Sequence, residues 1–72
     1  MAISYKKARD IIEDNDLLYK AIRIEVGFSR ETCAKLQKDE HMNLYSLERL
    51  AKYLSRTTGK KLQPSDLFEF IY

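Results

Sequence analysis

The residues with the clearest chemistry in this sequence are Arg30, Glu31, Ala34, Lys35 and Lys38. Spaced by three, four and eight, they fall on one face of a helix. An arginine fork can donate two parallel hydrogen bonds to one pair of acceptors, whereas a lysine carries a compact charge suited to a phosphate oxygen. The small side chain of Ala34 between them permits close approach to a surface. A helix with that face suits the major groove of a nucleic-acid duplex, where base edges and backbone oxygens lie side by side. The same charges on an isolated helix would be a merely solvated face, so the reading depends on what positions them. Glu31 repels phosphate. It either accepts from a cytosine amino group or orients Arg30 or Lys35.

The positioning elements are legible on both sides. Gly27-Phe28-Ser29 reads as a tight turn: Gly27 ends one helix in the left-handed conformation that glycine adopts without steric cost, and Ser29 caps the next. The stretch 18–38 is then two short helices joined at a steep angle, with Ile22, Val26, Phe28, Cys33 and Leu36 on the shared apolar side and Thr32 partly so. The helix before the turn points Ala21, Ile22 and Val26 inward, with Leu18 a further candidate. Upstream, Ser4 is the expected cap of a first helix with Tyr5, Ala8, Ile11 and Ile12 on one stripe, and Asn15 its left-handed stop. Downstream, Asn43 caps a fourth helix carrying Leu44, Leu47, Leu50, Ala51 and Leu54, running through Arg56 until Thr57-Thr58-Gly59 breaks it. Residues 59–63 read as a loop with Leu62 tucked back on the core. Pro64 opens a short fifth helix with Leu67, Phe68 and Ile71. Residues 68–72 read equally as a helical turn or as a short strand. The expected fold is a single all-α, five-helix domain over residues 1–72, with or without that C-terminal strand.

Composition narrows the function. A chain of 72 residues is one small domain with a limited core, and 44% hydrophobic content is globular. Thirteen basic and 11 acidic side chains leave a net charge of only +2, so a nucleic-acid partner must be argued from where the charges fall. Cys33 is a core position; with a single Cys and a single His41 there is neither an internal disulfide nor a zinc site, which fits a reducing cytoplasm. No apolar run approaches a membrane span, and the N-terminus lacks the apolar stretch of a signal peptide. With no glycine-rich phosphate loop, metal cluster or nucleophile–base pairing, an enzyme is not expected, nor is any cofactor or small-molecule ligand. Leu17, Leu18, Tyr19, Ile24, Met42, Tyr45 and Tyr72 exceed the apolar bulk that one small surface needs; some must be core, and the rest are a candidate self-association face, first of all around Phe70–Tyr72.

The stretch LYKAIRIEVGFSRETCAKLQK resembles the helix-turn-helix of the phage-repressor and Cro (XRE) superfamily. The resemblance runs from the first helix to the last. It is nearest the small stand-alone bacterial members that begin like Met1-Ala2-Ile3-Ser4-Tyr5, carry an arginine at Arg23 and a turn like Gly27-Phe28-Ser29, and end like Asp66-Leu67-Phe68-Glu69-Phe70. It implies that the helix beginning near Ser29 enters the major groove. Arg30, Glu31, Ala34 and Lys35 then take the base-contacting positions, while Thr32, Lys38 and the start of the fourth helix near Asn43 take the backbone-contacting ones. Tyr19 falls at the first position of the motif, where a DNA contact is common, and a tyrosine there suits a phosphate. Ile24 and Arg23 stand where the wider superfamily carries a solvated and a small residue.

Two functions therefore compete. One is a sequence-specific, double-stranded-DNA-binding transcriptional regulator of the bacterial or phage cytoplasm, acting as a homodimer on two half-sites. The other is a protein-interaction module that keeps the helix-turn-helix shape without useful DNA affinity, favoured by the acids near the motif, Asp16, Glu25, Asp39 and Glu40.

Overall fold

A computed structural model describes residues 2–72; Met1, the first residue of the N-terminal resemblance, lies outside the described residues. The element order is β1 (Ala2–Ser4), α1 (Lys6–Asp14), α2 (Tyr19–Ile22) continuing as a π-helical turn (Arg23–Gly27), α3 (Arg30–Lys38), α4 (Leu44–Thr58), a 3-10 turn (Pro64–Asp66) and β2 (Glu69–Ile71). One apolar core joins them: Tyr5, Ala8 and Ile12 at and within α1, Ile22 and Val26 before the turn, Phe28 in it, Leu36 from α3, Leu47, Leu50, Ala51 and Leu54 from α4, and Leu67 after the 3-10 turn. Leu62 packs against this core, and Ser55 fixes its backbone by donating Oγ–H to the Leu62 carbonyl and accepting the Leu62 N–H. Among the described residues no helix is long and apolar enough to cross a membrane.

The fold departs from the all-α expectation at both ends. β1 and β2 pair antiparallel, with Ala2 opposite Ile71, Ile3 opposite Phe70 and Ser4 opposite Glu69. The strand alternative for the C-terminus holds. Its partner strand had no sequence signal, because three residues are too few to show alternation. The fifth helix is a single 3-10 turn. Pro64 opens it, and the Gln63 N–H donates to Asp66 Oδ2 at 2.9 Å. The chain then extends because Phe68, Phe70 and Ile71 favour a pleated surface and β1 supplies backbone partners that a helix would forgo.

Three local expectations are also corrected. Ser4 is a buried strand residue; its Oγ accepts the Lys6 N–H at 3.3 Å, but the first residue outside α1 is Tyr5. Asn15 is not left-handed; the positive φ of 53° lies one residue on, at Asp16, while Asn15 donates Nδ2–H to the Ile11 carbonyl. Leu18 points into solvent at 69% exposure, because α2 begins only at Tyr19 and the segment leading into it is extended. Gly59, with φ 75°, ends α4 directly after Thr58, and Asn43 caps its start by accepting the Ser46 N–H at 2.8 Å.

Candidate nucleic-acid interface

α3 is anchored by one face. Leu36 is fully buried and Cys33 nearly so, and burial in this apolar setting pushes the Cys33 thiol up against the lowering charge of Arg23. With Cys33 and Leu36 turned inward, the opposite face stands outside the core: Arg30, Glu31 and Lys38 are exposed, and Ala34 and Lys35 half-buried. The two ion pairs among the described residues, Lys6–Asp10 and Arg9–Asp39, involve none of these side chains. Their charges are therefore available to a partner.

The start of α3 is held locally. Gly27 has φ 85°, Phe28 is buried, and the Ser29 Oγ accepts the Thr32 N–H at 3.2 Å and lies 3.1 Å from the Thr32 hydroxyl. Ser29 and Thr32 thus satisfy each other at the helix end. Arg49 of α4 adds a tie from outside the motif: its guanidinium donates to the Val26 carbonyl and lies over the Tyr45 ring at 5.4 Å. A β-carbon on Gly27 would come within 2.7 Å of Arg49 Nη2.

The far end of α3 is held by residues distant in sequence. Asp39 closes the helix in the left-handed conformation, φ 58°. Its Oδ1 accepts from Arg9 Nη1 at 2.6 Å and from the Tyr5 N–H at 2.8 Å. Arg9 Nη1 also donates to the Leu36 carbonyl at 3.1 Å, one of the carbonyls a helix C-terminus leaves unpaired. The Tyr5 hydroxyl in turn accepts the Met42 N–H at 2.9 Å, holding the connection into α4. The Arg9 guanidinium and the Tyr5 N–H together keep the Asp39 carboxyl below its ordinary value. Asp39, one of the acids that favoured an interaction module, is therefore part of the internal scaffold of α3.

Of the candidate contact residues, Arg30, Glu31, Ala34, Lys35 and Lys38 share the outward face of α3. Thr32 is half-buried beside its Ser29 partner. Asn43 is exposed at the start of α4, its Oδ1 engaged by Ser46 and its Nδ2 group left to donate. Tyr19 packs half-buried against the core, and that burial raises its phenol, with the nearby Arg9 charge acting the other way. Arg9, Asp39, Tyr5 and Arg49 were missed as positioning residues, and no local pattern pairs them. What the sequence offered was only an arginine on the polar side of each amphipathic helix.

A short helix, a tight turn and a second helix with a charged outward face, held against two supporting helices, α1 and α4, define a helix-turn-helix domain. No family profile matches the chain, and no curated protein is similar enough to match it. Among solved structures the chain is similar to the transcriptional regulator VanUg, with 31% identity, a TM-score of 0.79, and coverage of 94% of this chain and 83% of that one. At that identity and coverage the chain belongs to the same family as this transcriptional regulator.

Proposed function

We propose that this chain is a sequence-specific, double-stranded-DNA-binding transcriptional regulator of the phage-repressor and Cro type, with α3 lying in the major groove. The observation that carries the reading is the outward face of α3: Arg30, Lys35 and Lys38 stand free of internal ion pairs on a helix secured at both ends. Kinship with a transcriptional regulator supports it. In this reading Arg30, in the first turn, reads a base edge together with Glu31, Ala34 and Lys35. Tyr19, Ser29, Thr32, Lys38 and Asn43 contact the backbone. Two copies act together in the cytoplasm on paired half-sites, and the exposed β2 edge, with Phe70, Ile71 and the 97%-exposed Tyr72, is the surface that joins them.

Selection of bound duplexes from a random pool gives the preferred site, and two variants then divide the labour of α3. Arg30→Ala costs about 1–3 kcal/mol on the preferred site and relaxes the choice at one base position. Lys38→Ala weakens preferred and scrambled duplexes alike and lowers the salt slope by about one ion. Equal losses on both duplexes for both variants would reduce α3 to an electrostatic anchor.

An interaction module without useful DNA affinity is the second reading. The observation favouring it is the exposed apolar pair Leu18 and Ile24, 69% and 65% exposed, beside the motif. Absence of salt-dependent binding to any duplex would select it.

A further inference from the structure

A shallow notch of about 300 Å³ opens between α2 with its π-helical turn and α3. Lys20 and Arg23 line it from one side and Arg30 and Gln37 from the other, and Tyr19 and the buried Cys33 also border it. Three of these side chains are cations, and no carboxylate lines it. Neither ion pair of the described residues involves Lys20, Arg23 or Arg30, so the positive charge in the notch is uncompensated. Arg23 is the first residue of the π-helical turn, and it is half-buried, reaching towards α3. Its charge is felt at the Cys33 sulfur on the opposite helix. A groove between two helices that gathers like charges works against folding through self-repulsion, and an anion seated there removes that repulsion. By contrast, the groove between α4 and the end of the π-helical turn mixes Arg49, Lys52 and Arg56 with Glu25.

We propose that this notch seats one phosphate of the DNA backbone, gripped by Arg23 from within and Lys20 at the mouth. The inference rests on the DNA-binding reading above and adds two residues to it. With α3 in the major groove, the preceding helix crosses the strand that borders it, which brings Lys20 and Arg23 to backbone rather than to base edges. Arg30 faces the same notch from the first turn of α3. A phosphate seated there anchors the protein beside the first turn of α3 without itself reading sequence. The alanine at Ala34 leaves the strand room to approach.

The test is duplex binding over a range of salt, on the selected and on a scrambled sequence. Arg23→Ala is expected to weaken both by the same factor, roughly tenfold for one charged contact. Lys20→Ala combined with Arg23→Ala is expected to remove about one ion from the salt slope. Arg23→Lys, which keeps the charge, restores the slope and separates loss of a contact from loss of fold. Wild-type slope in the double variant, with DNA still bound, overturns the proposal and leaves the DNA-binding reading intact. An equal loss in Arg56→Ala, a cation on α4 outside the notch, overturns it as well, because the effect is then one of net charge. Millimolar inorganic phosphate that occupies the notch in the free protein, without competing with duplex, makes it a small-anion site and overturns the backbone assignment. Failure of the unaltered protein to bind any duplex sinks the DNA-binding reading itself.

Discussion

The two ends of α3 are secured in opposite ways. At the start, four consecutive residues do most of the work: Val26 is buried, Gly27 turns the chain at φ 85°, Phe28 is buried, and Ser29 caps the helix three residues before its partner. At the finish, a non-glycine residue, Asp39, takes the left-handed conformation, and its side chain is held by Arg9 and Tyr5, 30 and 34 positions away. At the first end the glycine and the cap act over a few neighbouring residues. The other fastening exists only once α1 has packed against α3. The difference teaches why glycine is required at one left-handed position and not at the other. At Gly27 a side chain is strained by the backbone and meets Arg49, whereas at Asp39 the side chain is the fastening.

The largest effect is expected at the turn. Gly27→Val places a β-branched residue in the left-handed region and displaces Arg49 from the Val26 carbonyl. The arginine can swing aside, but only by giving up that bond, and the backbone strain stays. A loss of more than about 2 kcal/mol is expected, seen as a fall in melting temperature of at least about 8 °C. An unchanged melting temperature would mean that the turn lies elsewhere.

Next comes the distant clamp. Asp39→Ala leaves the Tyr5 N–H without its acceptor and the Arg9 guanidinium with only the Leu36 carbonyl, and is expected to cost about 1–2 kcal/mol in denaturant unfolding, less than a fully buried pair because the site is partly solvated. Combined with Arg9→Ala the cost should be less than the sum of the two, since both remove one contact. The clamp also carries a pH signature. Arg9 and Tyr5 hold the folded Asp39 carboxyl below its unfolded value, about 3.9 for a free aspartate. The charge on Asp39 then contributes stability that is fully present above that unfolded value and is lost as the pH falls through the depressed folded one. In Asp39→Asn this portion of the acid-induced loss should vanish. Parallel acid-unfolding curves for Asp39→Asn and the unaltered protein would show that the carboxylate contributes nothing.

The smallest effect is expected at the local cap. Ser29→Ala removes one exposed acceptor and should cost at most about 1 kcal/mol, with Ser29→Asp recovering most of it, because an aspartate also accepts at that position and is favoured by the helix dipole. Hydrogen exchange sharpens the comparison: Ser29→Ala should loosen only the first turn of α3, whereas Asp39→Ala should loosen its last turn and the start of α1 together. If both variants loosen the same amides, the two ends are one cooperative unit and the contrast fails.

The sequence by itself determined what depends on neighbours a few residues apart. The periodicity of α1, α3 and α4, the Ser29 and Asn43 caps, the glycines at Gly27 and Gly59, and the outward grouping of Arg30, Glu31, Ala34, Lys35 and Lys38 all follow from rules that act over one or two helical turns. Tertiary structure decided the rest. It made Ala2–Ser4 a strand by bringing Glu69–Ile71 alongside, reduced the fifth helix to one 3-10 turn, and turned Asp39 from a surface acid near the motif into the clamp of α3. It also drew Lys20, Arg23 and Arg30 around one notch and set Arg49 against the turn. Each of these rests on partners that only the packed core brings within reach. A hydrogen bond or a charge acts over a few ångströms of space, and separation along the chain carries no record of which residues will be that close.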